Sequence, residues 1–144
     1  MSSQPNEILG NKWGASNLMK IEYCGGWGYR KYAVALIEEI EKVFGAGQFV
    51  YHLHMDQGVT GRLEVTVFPG SKTETDHGKL VHSKKASGAY IHADYPAFFA
   101  ALEEAMKWFY VKHDIKSHLS PLISLSWPIY HLLSQRSKIL YLDA

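Results

Sequence analysis

Apolar and polar residues recur with two distinct periods between Leu18 and Phe109. Met19, Ile21 and Tyr23 alternate with Lys20 and Glu22, the pattern of a half-buried strand over 18–23. From Tyr29 the period lengthens. Tyr29, Tyr32, Ala33, Leu36, Ile37, Ile40, Val43 and Phe44 fall on one stripe of a helix. Glu38 and Lys42 form an i,i+4 pair on its wet side, and Gly45 and Gly47 stop it. Phe49, Tyr51, Leu53 and Met55 then alternate with Val50, His52 and His54, which predicts a second strand. After a turn at Gly58–Gly61, Leu63, Val65 and Val67 alternate with Glu64 and Thr66 in a third. A polar loop over 69–78 reads as a hairpin connection to a short fourth strand, 79–83. Asp94 is placed as an N-cap with Pro96 in the first turn of a second helix. That helix buries Phe98, Phe99, Leu102, Met106 and Phe109.

The order β-α-β-β-β-α predicts an α/β fold, a thioredoxin-like two-layer sandwich. It has a four-stranded mixed sheet with two helices on one face. The crossover through the first helix makes the first two strands parallel. A chain of 144 residues with 47% hydrophobic content is enough for one domain with a core. Residues 1–17 are polar and lack the basic start and apolar centre of a secretory signal, so they read as a flexible leader. The domain proper is expected over 18–112, followed by a C-terminal extension, 113–144. The apolar stretch Ser120–Leu133 is interrupted by Pro121 and Pro128 and falls short of the about 20 residues that a membrane span requires. A net charge of +1 argues against a general nucleic-acid or membrane-surface role.

The chain has one cysteine, which excludes an internal disulfide framework and fits a reducing compartment. It lies in Tyr23-Cys24-Gly25-Gly26-Trp27-Gly28-Tyr29, between the first strand and the first helix. A strand, a glycine turn carrying a thiol and a helix form the setting of a C-x-x-C redox site, yet the fourth position here is Trp27. A thiol reacts as thiolate, and the unpaired N–H groups of a helix N-terminus favour that anion. Gly25, Gly26 and Gly28 allow a sharp turn and close approach of a partner. Cys24 is therefore a candidate reactive thiol, partly accessible and facing the helix N-terminus. The alternative is a small, buried, inert cysteine. Position 27 is placed in the first helical turn, where a second cysteine could bridge to Cys24. Trp27 itself has two readings, an exposed contact or a residue packed on the helix start or on Val59-Thr60-Gly61.

These residues resemble the selenoprotein W family, within the wider group of redox proteins related to selenoproteins W, T and H. The resemblance rests on the Cys24 loop, on Thr60-Gly61 through Glu64-Val65-Thr66-Val67, and above all on Gly78-Lys79-Leu80-Val81-His82-Ser83-Lys84-Lys85 with Gly88 and Tyr90. It implies a small cytoplasmic thiol or selenol redox protein of antioxidant defence and redox homeostasis. Glutathione or thiol proteins would be its redox partners, and it would hold no resident cofactor. The family's site is C-x-x-U, with selenocysteine, or C-x-x-C. Cys24 matches the first position and Trp27 stands at the second. Two origins fit Trp27: a UGA codon, which encodes selenocysteine in one context and tryptophan in another, or a true tryptophan in a one-thiol variant. With an indole there, an oxidoreductase would be weak or inactive, because an indole neither attacks nor resolves a disulfide. Cys24 could still form a mixed disulfide that an external thiol removes. The resemblance also implies binding of 14-3-3 proteins through this loop, so a redox-inactive binding module is the alternative function. Thioredoxin-like proteins set a cis-proline opposite the reactive cysteine, but no proline occurs between Phe49 and Phe68. The resemblance implies that the loop Val59-Thr60-Gly61 takes that place, the alternative being a simple turn into the third strand. With Gly25, Gly26 and Gly28, Thr60 and Gly61 are the expected substrate contacts.

His52 and His54 lie two apart on one strand, but no further ligands follow at a recognised spacing, so no metal site is assigned. His82-Ser83-Lys84-Lys85 is too short for a nucleic-acid patch and reads as a solvated strand end.

Overall fold

The computed structural model describes residues 4–114. Its elements are β1 (Glu7–Gly10), β2 (Asn17–Tyr23), α1 (Arg30–Phe44), β3 (Phe49–Met55), β4 (Leu63–Phe68), β5 (Lys79–Ser83), a one-turn α2 (Lys84–Ser87) and α3 (Tyr95–Asp114), with a short 3-10 turn at Ile91–Ala93 before α3. The sheet order is β1-β3-β2-β4-β5. β2 and β3 run parallel across the α1 crossover, with Met19 opposite Tyr51 and Ile21 opposite Leu53. β4 is antiparallel to β2, and β5 is antiparallel to β4 with a register shift between Val65 and Thr66.

The sheet therefore has five strands, where four are expected from the pattern. The fifth, β1, comes from the stretch read as a flexible leader. It pairs antiparallel with β3, Glu7 opposite Leu53 and Leu9 opposite Tyr51. Only four residues long, it carries too little alternation to be seen in sequence. Contacts distant in the chain hold it. Asn6 N–H donates to the Leu53 carbonyl at 2.8 Å, Met55 N–H donates to Asn6 Oδ1 at 2.6 Å, and Arg30 grips Glu7 through two nitrogens at 2.6 and 2.8 Å. The expected extension from 113 onward lies outside the described residues, apart from the last residues of α3.

One core joins both long helices to one face of the sheet. Met19, Ile21, Tyr51, Leu53, Val65 and Val67 meet Ala33, Leu36, Ile37 and Ile40 of α1 and Phe98, Phe99, Leu102 and Met106 of α3. Burying an aliphatic side chain of this size contributes about 1.5–3 kcal/mol. Asp94 caps α3 as expected, its Oδ1 accepting from Ala97 N–H at 3.1 Å. On α1, Lys42 pairs with Glu39 at 2.8 Å rather than with Glu38, the i,i+3 spacing serving as well as i,i+4 on a helix surface. On the opposite face a smaller apolar cluster, Ala15, Leu18, Val50 and Phe68, covers one end of the sheet. This mixed α/β arrangement is consistent with a thioredoxin-like fold and brings the loops after β2 and β3 side by side.

Candidate functional site

Parallel pairing of β2 and β3 sends both strands out at the same edge, and their following loops continue the pairing. Asp56 N–H donates to the Tyr23 carbonyl at 2.8 Å, Gly25 N–H to the Gly58 carbonyl at 3.0 Å, and Cys24 N–H to the Arg62 carbonyl at 2.9 Å. This contact requires glycine at position 25, since a β-carbon there would collide with the carbonyl oxygens of Asp56 and Gly58. At Gly26 it would collide with the Val59 side chain.

The sulfur of Cys24 lies between the two loops. It accepts hydrogen bonds from Gly26 N–H at 3.4 Å and Thr60 N–H at 3.3 Å. Burial would push the thiol up; the backbone N–H groups of Gly61, Gly26 and Thr60 outweigh it and bring the thiol below its ordinary value. The anion is stabilised by the two loops, and the helix plays no part in these bonds. α1 begins only at Arg30, with Tyr29 as an N-cap whose side chain makes no capping bond.

Two geometric expectations are corrected here. Cys24 is 1% exposed rather than partly accessible, because the loop after β3 folds across it. Trp27 lies before α1 rather than in its first turn. Its φ of 56° is the left-handed conformation, which turns the chain outward ahead of the helix. The indole is 75% exposed, so it is not packed on the helix start or on Val59-Thr60-Gly61. The structure thus gathers Cys24, Gly25, Gly26, Thr60 and Gly61 around the sulfur and turns Trp27 away into solvent. Gly28 follows with φ 67° and completes the turn.

Residues not singled out in the sequence hold the second loop in place. Arg62 donates to Asp56 through Nε at 3.0 Å and Nη2 at 2.7 Å, and to Glu22 at 3.0 Å. The Thr60 hydroxyl donates to the same Asp56 carboxylate at 2.5 Å. Arg62 holds the Asp56 carboxyl below its usual range, against the opposing effect of burial and with help from Thr60. Asp56 and Arg62 flank the glycine turn six residues apart, a charge pairing that the sequence could have signalled. On the other side, Lys84 Nζ donates to the Gly61 carbonyl at 3.1 Å and lies 4.8 Å from the Tyr90 ring. The hydroxyls of Tyr90 and the buried Tyr29 are 3.1 Å apart. The Tyr29 hydrogen bond, then burial, push the Tyr90 phenol up; Lys84 opposes this, and the negative charge of Cys24 adds to it.

A cleft of about 250 Å³ between α1 and the segment before α3 is lined by Tyr32, Ala35, Leu63, Ile91, His92 and Tyr95, and includes none of the predicted site residues.

The model of the Rdx family matches residues 18–99, from β2 into α3, and so takes in both loops of the site. No curated protein matches the chain.

Proposed function

This chain belongs to the Rdx family, the redox family related to selenoproteins W, T and H, and we propose that it is a selenoprotein W-like thiol redox protein in which Cys24 works alone. The observation that supports this is the donor shell on the sulfur: N–H groups from two loops, converging where a thiolate would form. The chemistry is thiol–disulfide exchange. The Cys24 thiolate attacks one sulfur of a disulfide RS–SR, a mixed disulfide forms at Cys24, and RS⁻ leaves. A second thiolate, R′S⁻, attacks the mixed disulfide and releases Cys24 as thiolate, so electrons balance between the two small thiols. Trp27 has no sulfur and takes no part in resolution. Glutathione is the proposed partner in both steps, with Gly25, Gly26, Gly28, Thr60 and Gly61 as its backbone contacts. The cytoplasm is the proposed location, in keeping with a lone free cysteine. Among the described residues, no helix is long and apolar enough to cross a membrane.

The sulfur must be uncovered for attack. Its cover is loop, where local opening is least costly. The test is the pH dependence of Cys24 alkylation by iodoacetamide in the folded protein, with mass measurement after incubation with oxidised glutathione. Half-maximal alkylation below the ordinary thiol value of about 8.5 and one glutathione adduct, absent in Cys24→Ser, are expected. A thiol that reacts only on unfolding overturns the reading.

One contrast favours a second reading, a binding module. The indole at position 27 is 75% exposed while the thiol at 24 is 1% exposed. On that reading the loop is a contact surface and 14-3-3 proteins are the proposed partner. Binding lost in Trp27→Ala but kept in Cys24→Ser would select it.

A further inference from the structure

On the face of the sheet away from α1 and α3, three metal-ligating side chains converge. His52 and His54 are two apart on β3 and so project to the same side. Both meet one oxygen: His52 Nδ1 lies 3.2 Å and His54 Nε2 3.1 Å from Glu74 Oε2. Glu74 belongs to the loop between β4 and β5. In the sheet β2 separates β4 from β3, so this loop crosses a whole strand to set its carboxylate over the two histidines. The three donor atoms lie within 4.8 Å of one another. Side-chain exposure is only 15% for His52, 8% for His54 and 12% for Glu74.

We propose that His52, His54 and Glu74 form a divalent-metal site suited to zinc. Two imidazoles and a carboxylate with a water completing the shell is a donor set zinc accepts. Zinc bonds of about 2.0–2.1 Å in a tetrahedron place ligand atoms roughly 3.3 Å apart. The two nitrogen–oxygen separations are already near that figure, so only the two rings need turn closer together. Lys20 shapes the site. Its ammonium lies 3.1 Å from Glu74 Oε1, which leaves Oε2 as the single ligand oxygen and fixes the carboxylate. The same positive charge opposes a cation and holds the affinity down. Glu22, 3.8 Å from Lys20, partly offsets it. Cys24 is not among the three ligands, so the site does not rest on the proposed redox chemistry.

The test is calorimetric titration of the full, tag-free chain with zinc chloride, together with thermal unfolding with and without zinc. One equivalent should bind and raise the unfolding midpoint, since a metal that binds only the folded state stabilises it. Affinity should fall by roughly tenfold or more in His54→Ala and in Glu74→Gln, and rise in Lys20→Met. Cobalt(II) in place of zinc should give ligand-field bands without a sulfur-to-metal charge-transfer band. If His54→Ala fails to fold, Glu74→Gln decides, provided its unfolding midpoint in chelator matches the parent. No binding at millimolar zinc overturns the site. So does unchanged affinity in Glu74→Gln, or a thiolate band that moves the metal to Cys24.

Discussion

Towards α1 and α3 the sheet presents Met19, Ile21, Tyr51, Leu53, Val65 and Val67, all buried. Towards the other side the same strands present Lys20, Glu22, His52, His54, Glu64 and Thr66. The first face is held by area removed from water, which needs shape but little direction. Beyond the small apolar cluster of Ala15, Leu18, Val50 and Phe68 at one end, the second is held by directed contacts: Glu74 to His52, His54 and Lys20, Arg62 to Glu22, and Lys85 N–H to Glu64 at 3.1 Å. The Cys24 loops belong to the second kind. Their pairing depends on backbone groups meeting at fixed places, and a single β-carbon can prevent it. Packing on the apolar face and directed contacts on the polar face and in the loops should therefore respond to different substitutions, although the buried sulfur of Cys24 itself joins the apolar core.

The largest effect should come from the apolar face. Leu36→Ala, at a site 1% exposed, should cost about 2–5 kcal/mol. Urea unfolding would read this as a lower midpoint at unchanged slope, and a cost under 1 kcal/mol would show that buried apolar area does not hold this face. Next is Gly25→Ala. Its β-carbon meets two backbone carbonyls that cannot rotate away, so a loss of about 1–3 kcal/mol is expected. The alkylation profile of Cys24 should move to higher pH in the same variant, because displacing the 56–62 loop removes the Thr60 N–H.

Arg62→Met should cost less, about 1–2 kcal/mol at neutral pH. Its signature is the pH dependence. Arg62 lowers the Asp56 carboxyl in the folded state, so the pair's contribution is fully present above the unfolded value of about 3.9. It is lost as pH falls through the folded value. The parent should therefore lose stability from about pH 4 downward, and Arg62→Met should lose less over that window. Equal slopes in the two proteins would show that Arg62 does not set the Asp56 carboxyl. The smallest effect should be Trp27→Gly. Glycine relieves the left-handed φ of 56° but gains freedom in the unfolded chain, and the exposed indole buries little. A change within about 0.5 kcal/mol is expected from chemical denaturation. A large loss would mean that the indole packs against the fold after all.

The long elements, the parallel crossover and the location of the thiol are legible in the order of residues. Each of these is local: strand and helix periods are written in consecutive residues, and a glycine turn marks itself. The α1 stripe from Ala33 to Ile40 and the capping of α3 by Asp94 were legible for that reason. The rest depends on contacts between residues far apart in the chain. β1 exists because Leu53 and Met55 await partners from 6–10, and four residues carry no period strong enough to announce it. The covering of Cys24 and the source of its N–H donors depend on where the 56–62 loop lands, which Arg62 and Asp56 fix through contacts that also reach Glu22. Trp27 turns outward because α1 starts two residues after the turn ends, a boundary set by packing of Tyr29 rather than by a capping side chain. Glu74 joins His52 and His54 although about 20 residues of chain separate them, since distance along the chain says nothing of which strand a loop will cross.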